Sequence, residues 1–358
     1  MHLKKIHFIN FKNFEEKSLE FCPKINALVG NNGKGKTNIL DAIYYLSHLK
    51  SYFNHSDKLN IRFGEEFFML EGWFEKDKEI EHIQSSYHVE QKKIAKRNQK
   101  AYSRLSDHVG KFPVVIISPY DRDLINDGSE IRRKFIDSII SQSDSVYLSD
   151  LIRYNKVLQQ RNSLLKYFAA NRVFDPLQLD IFDQEILKLG IGIFDKRNAF
   201  IHDFAPIFQK YYDLISAKKE VVSIEYKSDL EENRIGYLNK NLTKDKVLQY
   251  TSSGIHKDDL KFKISDHPIK RFGSQGQQKS FLISLKLAQL EIIKNQLKVT
   301  PILLLDDIFD KLDESRVEQL IQLVNQENFG QIFISDTHPE RTQNVLEKIN
   351  EEHFIFEL

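Results

Sequence analysis

In Gly30-Asn31-Asn32-Gly33-Lys34-Gly35-Lys36-Thr37-Asn38, four residues separate Gly30 from the triplet Gly35-Lys36-Thr37. That is the spacing of a phosphate-binding loop. Its glycines let the backbone curl until N–H groups converge on phosphate oxygens, at a helix N-terminus whose dipole already favours an anion. Gly30, Asn31, Asn32, Gly33, Lys34, Gly35, Lys36, Thr37 and Asn38 are therefore the expected nucleotide contacts. Lys36 is expected to reach the β- and γ-phosphates and Thr37 to ligate Mg²⁺ through its hydroxyl. The competing explanation is a chance glycine turn, and the flanking pattern argues against it: the apolar run Ile25 to Val29 precedes the loop as a strand, and a helical pattern follows from Asn38 to Leu49.

A second group lies near the other end of the chain. Pro301-Ile302-Leu303-Leu304-Leu305-Asp306-Asp307 is an aliphatic run ending in two carboxylates, as a Walker B strand requires. Asp306 is the expected Mg²⁺-side residue, and Asp307 the expected group that polarises the attacking water. Taken alone, such a run could be a core strand with two solvent-facing acids. Before it stands Gly273-Ser274-Gln275-Gly276-Gln277-Gln278-Lys279, opening a helix. Ser274, Gly276 and Gln277 offer a hydroxyl, N–H groups and a positive dipole to a phosphate. The chain has one P-loop to serve, so this second grip is expected to face the nucleotide held by another copy. As an ordinary helix N-cap the segment needs no function. Further on, the strand pattern Gln331 to Thr337 ends in His338, expected from its order in the chain to sense the γ-phosphate, although a lone histidine after a strand is often a surface residue.

The elements that must position these groups can be read from periodicity. Leu3–Phe8, Ser18–Phe21, Lys24–Val29, Phe67–Phe74, Glu79–His88 and Val114–Ile117 read as strands, and a basic segment, Gln91 to Arg104, continues the hairpin pattern. From Ser129 to about Tyr212 the pattern is helical, with breaks expected near Asp175-Pro176 and Ala205-Pro206. Val221 to Tyr226 returns to strand. The helical middle reads as an insertion, because the parts of the nucleotide site lie on both sides of it.

Composition narrows the setting. The 358 residues carry 52 Lys+Arg against 51 Asp+Glu, a formal net charge of +1, so any nucleic-acid surface must be a local patch. Two candidates are Lys92, Lys93, Lys96 and Arg97 with Lys100 and Arg104, and Arg132-Arg133-Lys134; a solvated charged face explains either equally well. The single cysteine, Cys22, rules out a disulfide framework and suits a reducing compartment, with a small core residue as its expected role. The start of the chain leads directly into a strand pattern and no apolar run approaches membrane-spanning length, so a soluble cytoplasmic protein is expected. Gly254-Ile255-His256-Lys257-Asp258-Asp259 has no simple chemical reading; it structures a loop more readily than it binds a metal.

The order of motifs, P-loop, Ser-x-Gly-Gln signature, Walker B, an Asp-containing loop at Leu312-Asp313 and switch His338, resembles that of ABC-type ATPase heads such as those of SMC-like proteins. More closely, the chain resembles the RecF family of bacterial DNA repair proteins. That likeness rests on Asn10-Phe11-Lys12-Asn13-Phe14, Gly30 to Asn38, Ser118-Pro119, Gly128 to Asp137, Tyr154-Asn155-Lys156, Gln160 to Lys166, Gly254 to Asp259, Ser274 to Lys279 and Leu303 to Asp307, nearly the whole chain. Lys12, Lys257 and Lys279 stand where the family usually has Arg, which keeps the charge.

The resemblance implies an ATP-dependent DNA-binding protein of recombinational repair and replication restart. Such proteins form an ATP-dependent homodimer with nucleotide between the P-loop of one subunit and the signature of the other. They clamp double-stranded DNA near single-strand gaps, release it after slow hydrolysis, and act with RecO- and RecR-type mediators in loading recombinase. The expected fold is α/β, an ABC-type P-loop ATPase head with a mixed β-sheet lobe, residues 1–117 plus 290–358, and a largely helical second lobe, residues 118–289, carrying the signature at its return. The alternatives are another SMC-like head ATPase or a single-site P-loop phosphotransferase.

Overall fold

Strands that are apolar at nearly every position demand cover on both faces, and such strands pair in parallel. The computed structural model, which describes residues 1–216, 220–307, 330–348 and 351–358, shows this at the centre of the nucleotide motifs. β3 (Ile25–Val29), β8 (Val114–Ile117), β12 (Ile302–Leu305) and β13 (Ile332–Asp336) are buried throughout. With β14 (His353–Glu357) they form a parallel sheet in the order β14-β3-β13-β12-β8.

Strands that alternate buried and exposed positions form a separate antiparallel sheet. β1 (His2–Phe11), β2 (Phe14–Glu20), β4 (Phe67–Lys76), β5 (Glu79–His88), β6 (Ile94–Arg97) and β7 (Lys100–Ala101) run in the order β2-β1-β4-β5-β6-β7. The strands therefore divide between two sheets instead of sharing one mixed sheet. Helix α1 (Lys36–His48) lies against strands of both, touching β4 and β5 on one side and β8 and β13 on the other. This is why it is apolar around most of its circumference, with Ile39, Leu40, Ala42, Ile43, Tyr45 and Leu46 fully buried. Cys22 is buried, its thiol directed at the Ile25 carbonyl at 3.1 Å.

The chain divides into two compact units, Met1–Arg122 with Lys279–Leu358, and Asp123–Gln278. In the second, α2 (Asp123–Asn126), α3 (Ser129–Ser143), α4 (Ser145–Asn171), α5 (Pro176–Ser216), α6 (Tyr237–Leu248) and α7 (Ile269–Phe272) accompany a small antiparallel sheet, β9 (Val222–Lys227), β10 (Asp259–Ile264) and β11 (His267–Pro268). The expected break at Ala205-Pro206 is absent, since Pro206 lies inside α5. Pro206 is exposed and so is His202 one turn earlier, so the carbonyl that loses its N–H partner can be hydrated. Phe200, Phe204, Phe208, Tyr211 and Tyr212 on the buried side keep the helix continuous. α8 (Gln275–Leu297) contains the division at 278/279, earlier than the boundary expected near Leu290. Among the described residues no helix is long and apolar enough to cross a membrane.

Candidate functional site

The nucleotide motifs of the first unit converge at the C-terminal edge of the parallel sheet, the edge at which α/β folds place ligands. Register does this. Leu305 lies opposite both Ile117 and Ile334, so the next residues on those strands, Ser118, Asp306 and Ser335, come side by side. Val29, the residue before the P-loop, pairs with Asp336.

Leaving β3, the chain turns at Gly30 (φ 142°), Gly33 (φ 82°) and Gly35 (φ 100°) before entering α1. The Lys36 ammonium donates to the Gly30 carbonyl at 2.6 Å and the Asn31 carbonyl at 3.0 Å, so the loop closes around it. Asn13, from the β1–β2 turn, braces the other side. Its amide accepts from Asn38 Nδ2 at 2.7 Å and donates to the Lys34 carbonyl at 3.5 Å. Asn13 belongs to the Asn10 to Phe14 run, but nothing local in the sequence marks it as a neighbour of the P-loop. Asn32 and Gly33 sit at the exposed turn of the loop.

Asp306, only 4% exposed, is the hub. Oδ1 accepts from Thr37 Oγ1 at 2.9 Å and Ser335 Oγ at 3.0 Å, and Oδ2 accepts from Ser118 Oγ at 3.2 Å. Burial raises its pKa, and the Thr37, Ser335 and Ser118 hydroxyls oppose that shift. Asp307 follows with φ 50°, its N–H donating to Ser335 Oγ at 2.9 Å. Ser118 and Ser335 were not assigned a role at the site; Ser118 lies in the Ser118-Pro119 run that carries the family likeness, whereas the only signal for Ser335 is a hydroxyl at the end of a buried strand.

His338 is exposed and caps the helix Pro339–Glu347. The turn that presents it is held by Asp336, a fully buried carboxylate accepting from the Thr337 N–H at 2.7 Å, Thr342 Oγ1 at 2.6 Å and the Arg341 guanidinium. The expected loop at Leu312-Asp313 lies outside the described residues.

Ser274, Gly276 and Gln277 lie in the second unit. Ser274 Oγ accepts from the Gln277 N–H at 3.2 Å and the Ser274 N–H donates to Gln277 Oε1 at 2.6 Å, a reciprocal capping box. Gln277 Nε2 also donates to Glu220 at 2.6 Å. The segment is thus an N-cap in this state, with Ser274 exposed at the start of a 23-residue helix.

Four members of the basic runs are tied into the fold. Lys93 Nζ donates to the Leu49 carbonyl at 2.5 Å and to Asp57 at 2.8 Å, and Arg97 pairs with Glu81. Arg132 binds Asp259 at 2.8 Å, and Arg133 binds the Asp258 carbonyl at 2.6 Å. Lys92 and Lys100 are exposed. Gly254 to Asp259 knits the second unit together. His256 lies between Tyr154 Oη (2.9 Å) and the Thr251 carbonyl (3.0 Å), and burial pushes its pKa down to about 4. Buried Arg197 donates to both Asp137 oxygens at 2.9 Å, to Asp258 at 3.1 Å and to the Ile255 carbonyl at 2.8 Å. Among the described residues no cluster of histidine, cysteine and acidic side chains could hold a metal.

The RecF/RecN/SMC N terminal domain family model matches residues 2–353. The chain is 55% identical over 359 residues to the DNA replication and repair protein RecF of Flavobacterium johnsoniae, covering 100% of each. It is 47% identical to the RecF of Phocaeicola vulgatus, covering 99% of this chain and 96% of that one. Among solved structures it is similar to the recombination mediator protein RecF-ATPrS of the RecFOR pathway, with TM-score 0.88, 31% identity, and coverage of 100% and 96%. The Smc head domain from Pyrococcus furiosus shares the fold at 14% identity, with TM-score 0.55 and coverage of 98% and 100%.

Proposed function

We infer the function from the family to which this chain belongs, the RecF/RecN/SMC N-terminal domain family and, within it, the RecF proteins. It is an ATP-binding, ATP-hydrolysing protein of DNA replication and repair in the RecFOR pathway. Its working form is an ATP-dependent homodimer that closes on double-stranded DNA near single-strand gaps and reopens after slow hydrolysis, helping RecO- and RecR-type partners load recombinase. The single cysteine is in keeping with a cytoplasmic setting.

The observation that carries this reading is the 2.9 Å contact of Thr37 with Asp306, two motifs 269 positions apart in sequence. A hydroxyl and a carboxylate at the mouth of a phosphate loop are the hard oxygen donors that suit Mg²⁺, and Thr37 and Asp306 would hold it. When bound, the ion neutralises charge developing on the phosphates. Gly30 to Asn38 bind the phosphates, with Lys36 as the point charge. Asp307 orients the attacking water and takes up its proton, while His338 contacts the γ-phosphate. Ser274, Gly276 and Gln277, at a helix N-terminus, serve the nucleotide of the partner copy. A single-site phosphotransferase has no use for that helix.

Light scattering of the Asp307→Asn chain tests the reading. With Mg-ATP the mass should double, and adding Ser274→Arg should restore the monomer although ATP still binds. A protein that binds ATP and stays monomeric with gapped DNA present would overturn the composite site.

A further inference from the structure

One hydroxyl stands between the three parts of the hydrolytic site. Ser335, 1% exposed, lies in β13, the strand between the P-loop strand β3 and the Walker B strand β12. It donates to Asp306 Oδ1 at 3.0 Å and accepts the Asp307 N–H at 2.9 Å. Three residues later the same strand delivers His338, through a turn fixed by Asp336. Ser118 differs: its hydroxyl reaches the other Asp306 oxygen, Oδ2, at 3.2 Å, while the Asp307 N–H bonds to Ser335.

Asp307 needs such a tether. Its φ of 50° lies in the left-handed region, which aspartate enters more readily than most side chains, so the N–H bond to Ser335 serves to choose the direction of the turn there. The backbone turn there aims the Asp307 carboxylate, so whatever holds the N–H sets where that carboxylate can point. A hydrogen bond from the neighbouring strand does this without relying on side-chain packing. A serine is the shortest side chain that can donate to the metal-side carboxylate and accept from the next amide with a single oxygen.

We propose that Ser335 is a positioning residue for ATP hydrolysis, whose hydroxyl locks the Asp307 backbone and the Asp306 carboxylate to the strand that carries His338. The proposal rests on the ATPase reading above, with Asp307 as the residue that orients water. Ser335 acts through its two neighbours, Asp306 and the Asp307 amide. Its removal should therefore lower turnover without loosening the phosphate loop, whose own contacts run through Lys36 and Asn13.

The test compares the full chain with Ser335→Ala and Ser335→Thr, using Asp307→Asn as the benchmark. Amide hydrogen exchange at Asp307 is followed first, without Mg²⁺ or nucleotide. Ser335→Ala should speed it by about fivefold or more, since the N–H loses its acceptor. In steady-state kinetics the same variant should lose about 10- to 100-fold in kcat, the range seen when a group orienting a first-sphere ligand is removed, while ATP affinity holds within about twofold. Ser335→Thr, which restores the hydroxyl, should recover both. If Ser335→Ala leaves the Asp307 amide protected, the tether does not exist. If kcat falls only in step with ATP affinity, the hydroxyl supports the pocket in general and the proposal is wrong. Should the threonine methyl not fit, the alanine data alone decide. Undiminished turnover of Asp307→Asn would instead refute the catalytic assignment, and the exchange result would stand apart from it.

Discussion

Gly33 and Gly35 both have positive φ, 82° and 100°, yet the space around them differs, and that difference predicts how each tolerates a methyl group. A Cβ at Gly33 would meet nothing within 4 Å. Alanine there carries only the left-handed backbone cost, about 1 kcal/mol. A Cβ at Gly35 would stand 2.5 Å from Phe14 Cζ and 2.7 Å from Asn13 Nδ2, far inside contact distance. Phe14 is packed on Phe8 with ring centroids 5.0 Å apart, and Asn13 is bonded to Asn38, so neither moves freely. Displacing them adds an overpacking cost of about 1–3 kcal/mol and forfeits a hydrogen bond of about 1 kcal/mol. Gly35→Ala is thus expected to cost about 3–5 kcal/mol, which for a domain of this size corresponds to a melting shift of at least about 6 °C, against about 2–4 °C for Gly33→Ala. ATP affinity, measured by equilibrium binding without turnover, should fall much further for Gly35→Ala because the shifted residues open the N-terminus of α1. Equal melting shifts and equal affinities for the two variants would refute the claim that the β1–β2 turn braces the phosphate loop.

Arg197→Met removes the cation from two buried or half-buried carboxylates, Asp137 and Asp258, and should destabilise the second unit by about 3–5 kcal/mol, seen as an early thermal transition. His256 and His108 both have pKa values lowered to about 4, chiefly by burial, whereas in the unfolded chain each titrates near its ordinary value of about 6.5. Their contribution to stability is complete above about pH 6.5 and is lost as pH falls toward 4, at up to about 1.4 kcal/mol per pH unit for each. Melting temperatures between pH 7 and 4.5 should show this, with a shallower slope for His108→Gln. Lys93→Ala should lower the melting temperature by a few degrees, because its ammonium closes the end of α1 at the Leu49 carbonyl. The salt dependence of DNA binding should stay as it was, and a reduced slope would return Lys93 to the DNA surface.

Features whose chemistry is local were legible from residue order alone. A phosphate loop is a backbone shape, and Gly30, Gly33, Gly35 and Lys36 encode it at fixed spacing. A strand buried on both faces must be continuously apolar, which placed Val114–Ile117 and Ile302–Leu305. Family likeness supplied the expected order of these parts along the chain. The rest depends on register between distant segments. Ser118, Asp306 and Ser335 become neighbours because three parallel strands align at Leu305, and no local pattern records such an alignment. The same holds for Asn13 beside Gly35, and for Lys93 and Arg97, which look like a free basic patch until Leu49, Asp57 and Glu81 are seen to hold them. Pro206 marked a break by local rules, but an exposed proline on a helix anchored by Phe204 and Phe208 costs less than unpacking that face. Gly254 to Asp259 had no local meaning because its partners, Tyr154, Arg197, Arg133 and Arg132, are 58 to 127 residues away in the chain, and no local pattern records a contact over that separation.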